Sequence, residues 1–251
     1  MTGVAGPRRR EGDAVAIAGD YQARALESRW SAQRFWHAGK IRLLDRVMPA
    51  RPGARVADAG CGSGVIADHM AAVAREVVGF DANEAAVAFA RGAYPRPNLR
   101  FHLGPLEDVA AQGPFDQIIC LEVLEHLYPE QSHAVLGTFA RAAAPGARLF
   151  LTTPNARSGW PAIEWLLDRS GLVPTLDEAQ HLQLFTRASL ADACTQAGWQ
   201  VVEIGAFHGV APFAAPLGER VALGLEGLEY AGRHWLPGNL LYCLAERPAG
   251  R

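Results

Sequence analysis

Short apolar runs alternate along the chain with longer stretches in which apolar residues recur at helical spacing. The apolar runs predict strands at about 55–59, 76–80, 99–103, 115–121, 148–152, 199–204 and 239–246. Between them, the three-to-four-residue periodicity predicts helices at about 65–74, 83–93, 129–144, 187–197 and 217–232. Strands that alternate with helices in this way indicate a parallel sheet with helices on both faces. Ligands of such sheets bind at the carboxyl ends of the strands.

The remaining segments of this single domain, residues 1–251, suggest which parts of the chain lie over the ligand-binding site. Residues 1–18 are polar and glycine-rich, which predicts a flexible start. Residues 19–48 have a helical pattern and are expected to form an N-terminal lid. Two further segments, 156–183 and 207–238, interrupt the strand–helix rhythm and are expected to form a roof over the site.

The first predicted strand breaks into a glycine-rich turn with the sequence Asp58-Ala59-Gly60-Cys61-Gly62-Ser63-Gly64. Glycines at alternate positions allow a sharp turn and a close approach of backbone to ligand. The next strand ends in Asp81, about 20 residues later, where an acid can accept hydrogen bonds from both hydroxyls of a ribose. A tight turn without a ligand is the alternative. A nicotinamide-dependent dehydrogenase is a further rival, but its usual G-x-G-x-x-G spacing is not present.

This turn resembles motif I of the class I S-adenosylmethionine (AdoMet) methyltransferases. Later segments at 104–108, 115–127 and 145–153 resemble, in the same order, the adenine-side loop, fourth strand and fifth strand of that family. The resemblance implies an α/β fold with a Rossmann-like seven-stranded sheet, mostly parallel, whose last strand is antiparallel. It also implies AdoMet as cofactor, with S-adenosylhomocysteine (AdoHcy) as product. The implied cofactor-binding residues are Asp58, Gly60, Cys61, Gly62, Gly64, Asp81, Ala82, Leu106, Glu107 and Leu121.

Four residues near the end of the fourth strand and in the first roof segment suggest a metal site. The pattern Glu122-x-x-Glu125-His126, followed by His181 before a Phe-Thr pair, resembles two metal-dependent families. These are the ubiquinone-biosynthesis O-methyltransferases and the small-RNA 3′-end 2′-O-methyltransferases, and the resemblance implies that all four residues bind Mg²⁺ or another divalent cation. Such an ion would lower the pKa of an acceptor hydroxyl. In the alternative, His126 is a metal-free general base; His126 and Glu125 are the catalytic candidates.

The family resemblance also implies that the N-terminal helix covers AdoMet and supplies a basic residue for its methionine carboxylate. Lys40 and Arg42 are the candidates, and a solvated helix face is the alternative reading of both. Tyr21 is expected either to close the cofactor site or to pack against it.

Composition limits the partners. The net charge of −2 and the isoelectric point of about 6.4 do not favour nucleic acid. There is no apolar run of membrane-spanning length, so no membrane span is expected. Four widely spaced cysteines without a C-x-x-C pair indicate reduced, buried thiols in a cytoplasmic protein. The oligomeric state stays open, with a homodimer as one option.

The sequence therefore favours an AdoMet-dependent O-methyltransferase of biosynthesis that acts on a small phenol, catechol or sugar. A metal-independent N- or C-methyltransferase and an RNA-end 2′-O-methyltransferase are the enzymatic alternatives. A non-catalytic AdoMet-binding partner protein is the alternative outside enzymology.

Overall fold

The computed structural model describes residues 18–158 and 182–249. Within these residues, seven strands form one sheet in the order β3-β2-β1-β4-β5-β7-β6. The strands are β1 (Arg55–Ala59), β2 (Glu76–Asp81), β3 (Leu99–Leu103), β4 (Phe115–Leu121), β5 (Ala143–Pro154), β6 (Gln200–Phe207) and β7 (Leu240–Glu246). Strand β7 runs antiparallel to both β5 and β6, while the pairs formed by β1 to β5 are parallel. The predicted sheet and its antiparallel last strand are confirmed.

The helices lie between the strands and at the start of the described chain. They are α1 (Tyr21–Leu26), α2 (Ser31–Val47), α3 (Val65–Ala71), α4 (Glu84–Ala93), α5 (Val109–Gln112), α6 (Pro129–Ala142), α7 (Arg187–Gln196), α8 (Ala211–Ala214) and α9 (Glu219–Ala231). Short 3₁₀ turns occur at Leu106–Asp108, Leu124–His126 and Ala215–Leu217.

Adjacent residues of each strand enter different layers of the core, as the two-residue period of a strand requires. Val56 and Ile119 pack with α2, α3 and α4 on one face of the sheet. Their neighbours Ala57 and Ile118 pack with α6 and α7 on the other face. Because helices cover both faces of the sheet, a ligand cannot approach there. It can approach at the carboxyl ends of the strands.

The order of the strands in the sheet determines where a ligand can bind. The chain passes from β1 outward to β2 and β3, and then returns to the other side of β1 to form β4. The carboxyl ends of β1 and β4 therefore flank the point where the order reverses, which is where open α/β sheets bind ligands.

The N-terminal helical pattern at 20–48 forms two helices instead of one continuous helix. The backbone N–H of Trp30 donates to Oγ of Ser28 at 3.2 Å, and Trp30 itself is extended. A serine side chain that accepts a nearby backbone N–H competes with the helix, which accounts for the break.

The fifth strand begins earlier than predicted. The preceding helix was expected to reach residue 144, with strand five at 148–152, but α6 ends at Ala142 and β5 starts at Ala143. Ala143 is extended because it pairs with Phe115 of β4, so a sheet contact overrides the local helical pattern.

Two helices begin with a side-chain cap. Asn83 caps α4 by accepting the backbone N–H of Ala86, and Thr186 caps α7 by accepting that of Ser189. All four cysteines are free thiols and buried, as expected. A helix with the length and apolar character to cross a bilayer is absent from residues 18–158 and 182–249.

Candidate active site

The glycine turn after β1 needs its glycines for two reasons. Gly60, Gly62 and Gly64 have φ angles of +80°, +49° and +85°, a region that other residues rarely adopt. A Cβ atom on Gly60 would also lie 2.3 Å from Cγ2 of Val123, in the turn after β4. The turn is therefore pressed against the turn that follows β4.

Asp81 ties the end of β2 to this turn. One carboxylate oxygen accepts the backbone N–H of Gly62 at 2.8 Å, and the other accepts that of Asn83, also at 2.8 Å. These two bonds fix the orientation of the carboxylate. The structure thus holds Asp81 beside the glycine turn, as a ribose-binding acid requires.

Asp58, at the end of β1, is an unsatisfied acid in a buried position. Its exposed fraction is 2%, and its Oδ2 atom has no hydrogen-bond partner within the described part of the chain. Burial, followed by the charge of Asp81, raises the pKa of Asp58 to about 7. A buried acceptor without a partner suits a ligand that brings a positive group, and AdoMet carries an ammonium and a sulfonium. These residues fit the expected cofactor.

The other cofactor candidates surround these two acids. The backbone N–H of Gly104 donates to the carbonyl of Asp81 at 3.1 Å, which holds the loop after β3 near the end of β2. Glu107 is exposed in the 3₁₀ turn of that loop, with Leu106 half-buried. Ala82 is exposed beside Asp81. Cys61 and Leu121 are buried in the core below the turn.

Helix α1 covers the glycine turn. Oγ of Ser63, a residue 2% exposed, accepts the backbone N–H of Ala23 at 3.2 Å. Oε1 of Gln22 lies 3.4 Å from the same Oγ, and a Cβ on Gly62 would meet this glutamine. The sequence did not identify Gln22 and Ser63 as site residues, because no sequence motif indicates a contact between positions 40 residues apart.

Glu122, Glu125 and His126 follow β4, as predicted. Glu122 has a φ of +55°, an uncommon conformation for a residue with a side chain. Glu125 is 1% exposed and accepts the hydroxyl of Thr153 at 3.1 Å. Burial, followed by the charge of Glu122, raises the pKa of Glu125 to about 8. His126 is half-buried at the end of the 3₁₀ turn.

Lys40 of α2 extends to this same cluster. Its Nζ atom donates to Oε2 of Glu122 at 2.5 Å, with the two side chains 9% and 27% exposed. Burial acts to raise the pKa of Glu122, but the charge and hydrogen bond of Lys40, together with His37 and His126, outweigh it and the pKa is lowered. Arg42, the other basic candidate, forms a bidentate pair with Glu226 of α9 and therefore ties α2 to α9.

His37 also faces this edge and was missed from the sequence. Burial and the neighbouring Lys40 lower its pKa to about 4, so the imidazole is neutral at physiological pH. Tyr21 packs edge-on against it, with ring centroids 5.6 Å apart. The sequence did contain one signal for His37: it lies three residues before Lys40, which places both side chains on one helix face.

The expected metal site does not form among the described residues. No group of three or more His, Cys, Asp or Glu side chains with suitable geometry occurs within 18–158 and 182–249. Glu122 is engaged by Lys40, and Glu125 by Thr153. His181, the fourth implied ligand, lies outside the described residues, so its role stays a prediction.

Comparison with known proteins adds the following. The family described as a methyltransferase domain matches residues 30–204. A probable S-adenosylmethionine-dependent methyltransferase of Mycolicibacterium smegmatis is 31% identical over 178 residues, covering 70% of this chain and 64% of that protein. A ubiquinone biosynthesis O-methyltransferase of Aromatoleum aromaticum is 30% identical over 190 residues, covering 69% of this chain and 80% of that protein. The chain thus spans less than two thirds of the length of the M. smegmatis relative.

Solved structures show the same fold. The magnesium protoporphyrin IX methyltransferase of Synechocystis, with bound AdoHcy, superposes with a TM-score of 0.60 at 20% identity. The match covers 91% of this chain and 94% of that one. Since the family match extends over well more than half of its residues, the chain belongs to the S-adenosylmethionine-dependent methyltransferases.

Proposed function

We propose that this methyltransferase transfers the methyl group of AdoMet to a hydroxyl of a small-molecule acceptor, a phenol, a catechol or a sugar. The observation that carries the proposal is the polar cluster at the carboxyl end of β4. Glu122, Glu125 and His126 lie there beside the glycine turn, and α2 adds His37 and Lys40. In this proposal the cluster faces the acceptor and offers one group that can accept a proton and one that can stabilise an oxyanion.

The cofactor half of the site rests on Asp58, Asp81 and the glycine turn. Asp81 is oriented by two backbone N–H groups and is proposed to bind the ribose hydroxyls. Asp58 is proposed to receive the positively charged end of the ligand, which would satisfy its buried oxygen. When bound, AdoMet supplies a methyl group that is already activated by the sulfonium, so the protein contributes mainly position and electrostatics.

The acceptor half needs a base and a fixed frame. His126 is proposed to accept the proton of the acceptor hydroxyl. Glu125 is proposed to position His126. The Glu125 carboxylate accepts the hydroxyl of Thr153, and the Glu125 backbone carbonyl accepts the backbone N–H of Leu182 at 2.7 Å. The loop after β4 is thus anchored both to β5 and to the segment that starts at Leu182.

Oxygen as the accepting atom is supported by the relative from A. aromaticum, whose name is that of an O-methyltransferase. Assistance by a divalent metal, which the motif resemblance implies, is a weaker proposal because Lys40 already contacts Glu122. The net charge of −2 does not favour an RNA acceptor.

The test begins with calorimetric titration of AdoHcy and of NAD⁺ as the control ligand. We expect saturable binding of AdoHcy alone. Radiolabelled methyl transfer from AdoMet is then measured to catechol, phenol and a methyl glycoside, with benzylamine and a short RNA in parallel. Transfer to a hydroxyl compound supports the proposal. Transfer only to the amine or the RNA would contradict the acceptor class, and failure to bind AdoHcy would contradict the cofactor.

A further inference from the structure

The conformation of Glu122 directs its carboxylate toward α2. The residue directly follows β4 and has a left-handed φ of +55°, a conformation that persists only when the surrounding structure holds it. Its backbone N–H donates to the carbonyl of Thr152 at 2.9 Å, which anchors it to β5. The side chain meets Lys40 at 2.5 Å, so two distant segments of the chain converge on one ion pair.

The ion pair is largely removed from solvent. Lys40 is 7% exposed, although it is a residue type that is seldom buried unless paired. Glu125 is buried nearby and His126 follows it in the 3₁₀ turn. A single positive charge has therefore been built into the same acidic cluster that the motif resemblance assigns to a metal ion.

A divalent cation and the Lys40 ammonium cannot share this position without strong repulsion. Coulomb repulsion between a divalent ion and an ammonium is twice that between two single charges, and low exposure weakens the screening. Metal binding would also have to take the Glu122 carboxylate away from Lys40. The described residues thus favour the ammonium over a metal ion.

We propose that the Lys40 ammonium is the built-in cation of this active site and donates a hydrogen bond to the acceptor oxygen in place of a divalent metal. This rests on the proposed hydroxyl methylation. An ammonium has three N–H donors, and Glu122 is the one acceptor that the described residues place on it at hydrogen-bond distance. The remaining donors can face the acceptor oxygen as negative charge develops there.

The chemical step balances with these residues. The acceptor oxygen loses its proton to His126 and forms the O–C bond to the methyl group. The C–S bond breaks with its electron pair remaining on sulfur, which leaves neutral AdoHcy. Lys40 exchanges no proton in this step, and its charge stabilises the oxygen while the proton is lost.

Manganese binding tests the proposal without knowledge of the natural acceptor. Mn²⁺ is titrated into the AdoHcy-bound protein and followed by electron paramagnetic resonance. We expect no saturable site in the wild type or in Lys40→Arg, and a saturable site in Lys40→Met that is lost again when Glu122→Gln is added. Saturable binding by the wild type overturns the proposal, as does a Lys40→Met protein that gains no site. Lys40→Gln replaces Lys40→Met if the latter does not fold.

A chromophoric catechol tests the contact with the acceptor oxygen. The probe 4-nitrocatechol changes its absorption spectrum when a hydroxyl ionises, so it reports stabilisation of an oxyanion. We expect the pKa of the bound probe, read from a pH titration of its absorption, to lie below that of the free probe in the AdoHcy complexes of the wild type and Lys40→Arg, and this shift to be lost in Lys40→Met. A wild type that leaves the pKa of the probe unchanged, or an equal shift in Lys40→Met, overturns the contact.

AdoHcy calorimetry on the same samples separates this inference from the proposed function. Failure of the wild type to bind AdoHcy would defeat the proposed function itself. Normal AdoHcy binding by the wild type with strong loss in Lys40→Met would assign Lys40 to the methionine carboxylate and overturn only the inference about the acceptor.

Discussion

The carboxylate of Asp81 accepts the backbone N–H of Gly62 at 2.8 Å and joins the end of β2 to the glycine turn after β1. One side chain therefore serves two purposes. It closes the turn in the described structure, and it presents a hydrogen-bond acceptor at the edge where the ribose of AdoMet is proposed to bind.

Substitution of Asp81 by Asn is expected to reduce AdoHcy affinity by roughly 100-fold or more. The variant keeps the shape of the side chain but loses the charged acceptor, and hydrogen bonds to charged groups contribute about 1.5–3 kcal/mol each. Isothermal calorimetry measures the change. Asp45→Asn, at an exposed acid of α2, is the matched control and should bind AdoHcy like the wild type. Equal affinities of the two variants would argue against the ribose assignment.

Asp58 predicts a pH dependence of stability in the ligand-free protein. Because the pKa of this carboxyl is raised from 3.8 to about 7 in the folded state, the folded protein holds a proton that the unfolded chain has released. Stability contributed by this group is therefore present below about pH 4 and declines as the pH rises to about 7. Asp58→Asn removes the decline and should be more stable than the wild type at pH 8, by up to about 4 kcal/mol.

Urea unfolding of both proteins between pH 4 and pH 8 measures this gap. The same variant should bind AdoHcy more weakly, because it lacks the buried charge proposed to receive a positive group. Stability profiles that run parallel across the whole range would show that burial does not raise the pKa of Asp58.

His126→Ala is expected to lower methyl transfer by about 10²- to 10⁴-fold, the usual contribution of a general base. AdoHcy affinity should remain within a few-fold of the wild type, since the imidazole is proposed to act on the acceptor. Turnover with a catechol acceptor and calorimetry together give the comparison. His133→Ala, at an exposed position of α6, is the control. Wild-type turnover in His126→Ala would remove this residue from the chemistry.

Ser63→Ala is expected to loosen α1 without disturbing the sheet. The variant leaves the backbone N–H of Ala23 without its acceptor, which costs about 1 kcal/mol. Hydrogen exchange should therefore accelerate in α1 and stay unchanged in β1 and β4. Unaltered exchange in α1 would mean that this helix is held by other contacts.

Gly39→Ala is expected to destabilise the protein by about 1–3 kcal/mol, since a new Cβ would lie 2.3 Å from Cε1 of His208. His208 is 2% exposed and its Nε2 is 2.8 Å from the carbonyl of Trp36, so its ring cannot easily move away. Gly137→Ala in α6 is the control: the nearest atom is at 3.7 Å, and the helix should gain up to about 1 kcal/mol. Thermal unfolding distinguishes the two, and equal shifts would contradict the packing described.

The parts of the fold that follow local rules were predictable. Strands β3 and β4 begin and end where the apolar pattern placed them: β4 is a largely buried run, and β3 is an edge strand that buries Leu99 and Phe101 on one face. The glycine turn and Asp81 were predictable for the same reason, since their chemistry is contained in a short motif. The early start of β5 was not, because Ala143 is extended by its pairing with Phe115, a residue 28 positions earlier.

The acceptor side of the site was predicted only in part. Glu122, Glu125 and His126 lie together because they are neighbours in sequence. The position of Lys40 depends on how α2 crosses the sheet edge, 82 residues before its partner Glu122, and no local pattern specifies that crossing. His37 was missed because it has no motif of its own and acquires its environment from the same crossing.

The position of β7 has a consequence for how the protein is made. This strand lies between β5 and β6 and pairs with both, yet it follows them in the chain. During synthesis on the ribosome, β5 is therefore an open edge until β7 has emerged, and β6 has no strand of this sheet to pair with. Unpaired edges of this kind attract other chains. Completion of the sheet should depend on release of β7 from the ribosome, so the nascent protein is most exposed to misassembly after β6 has emerged and before β7 has.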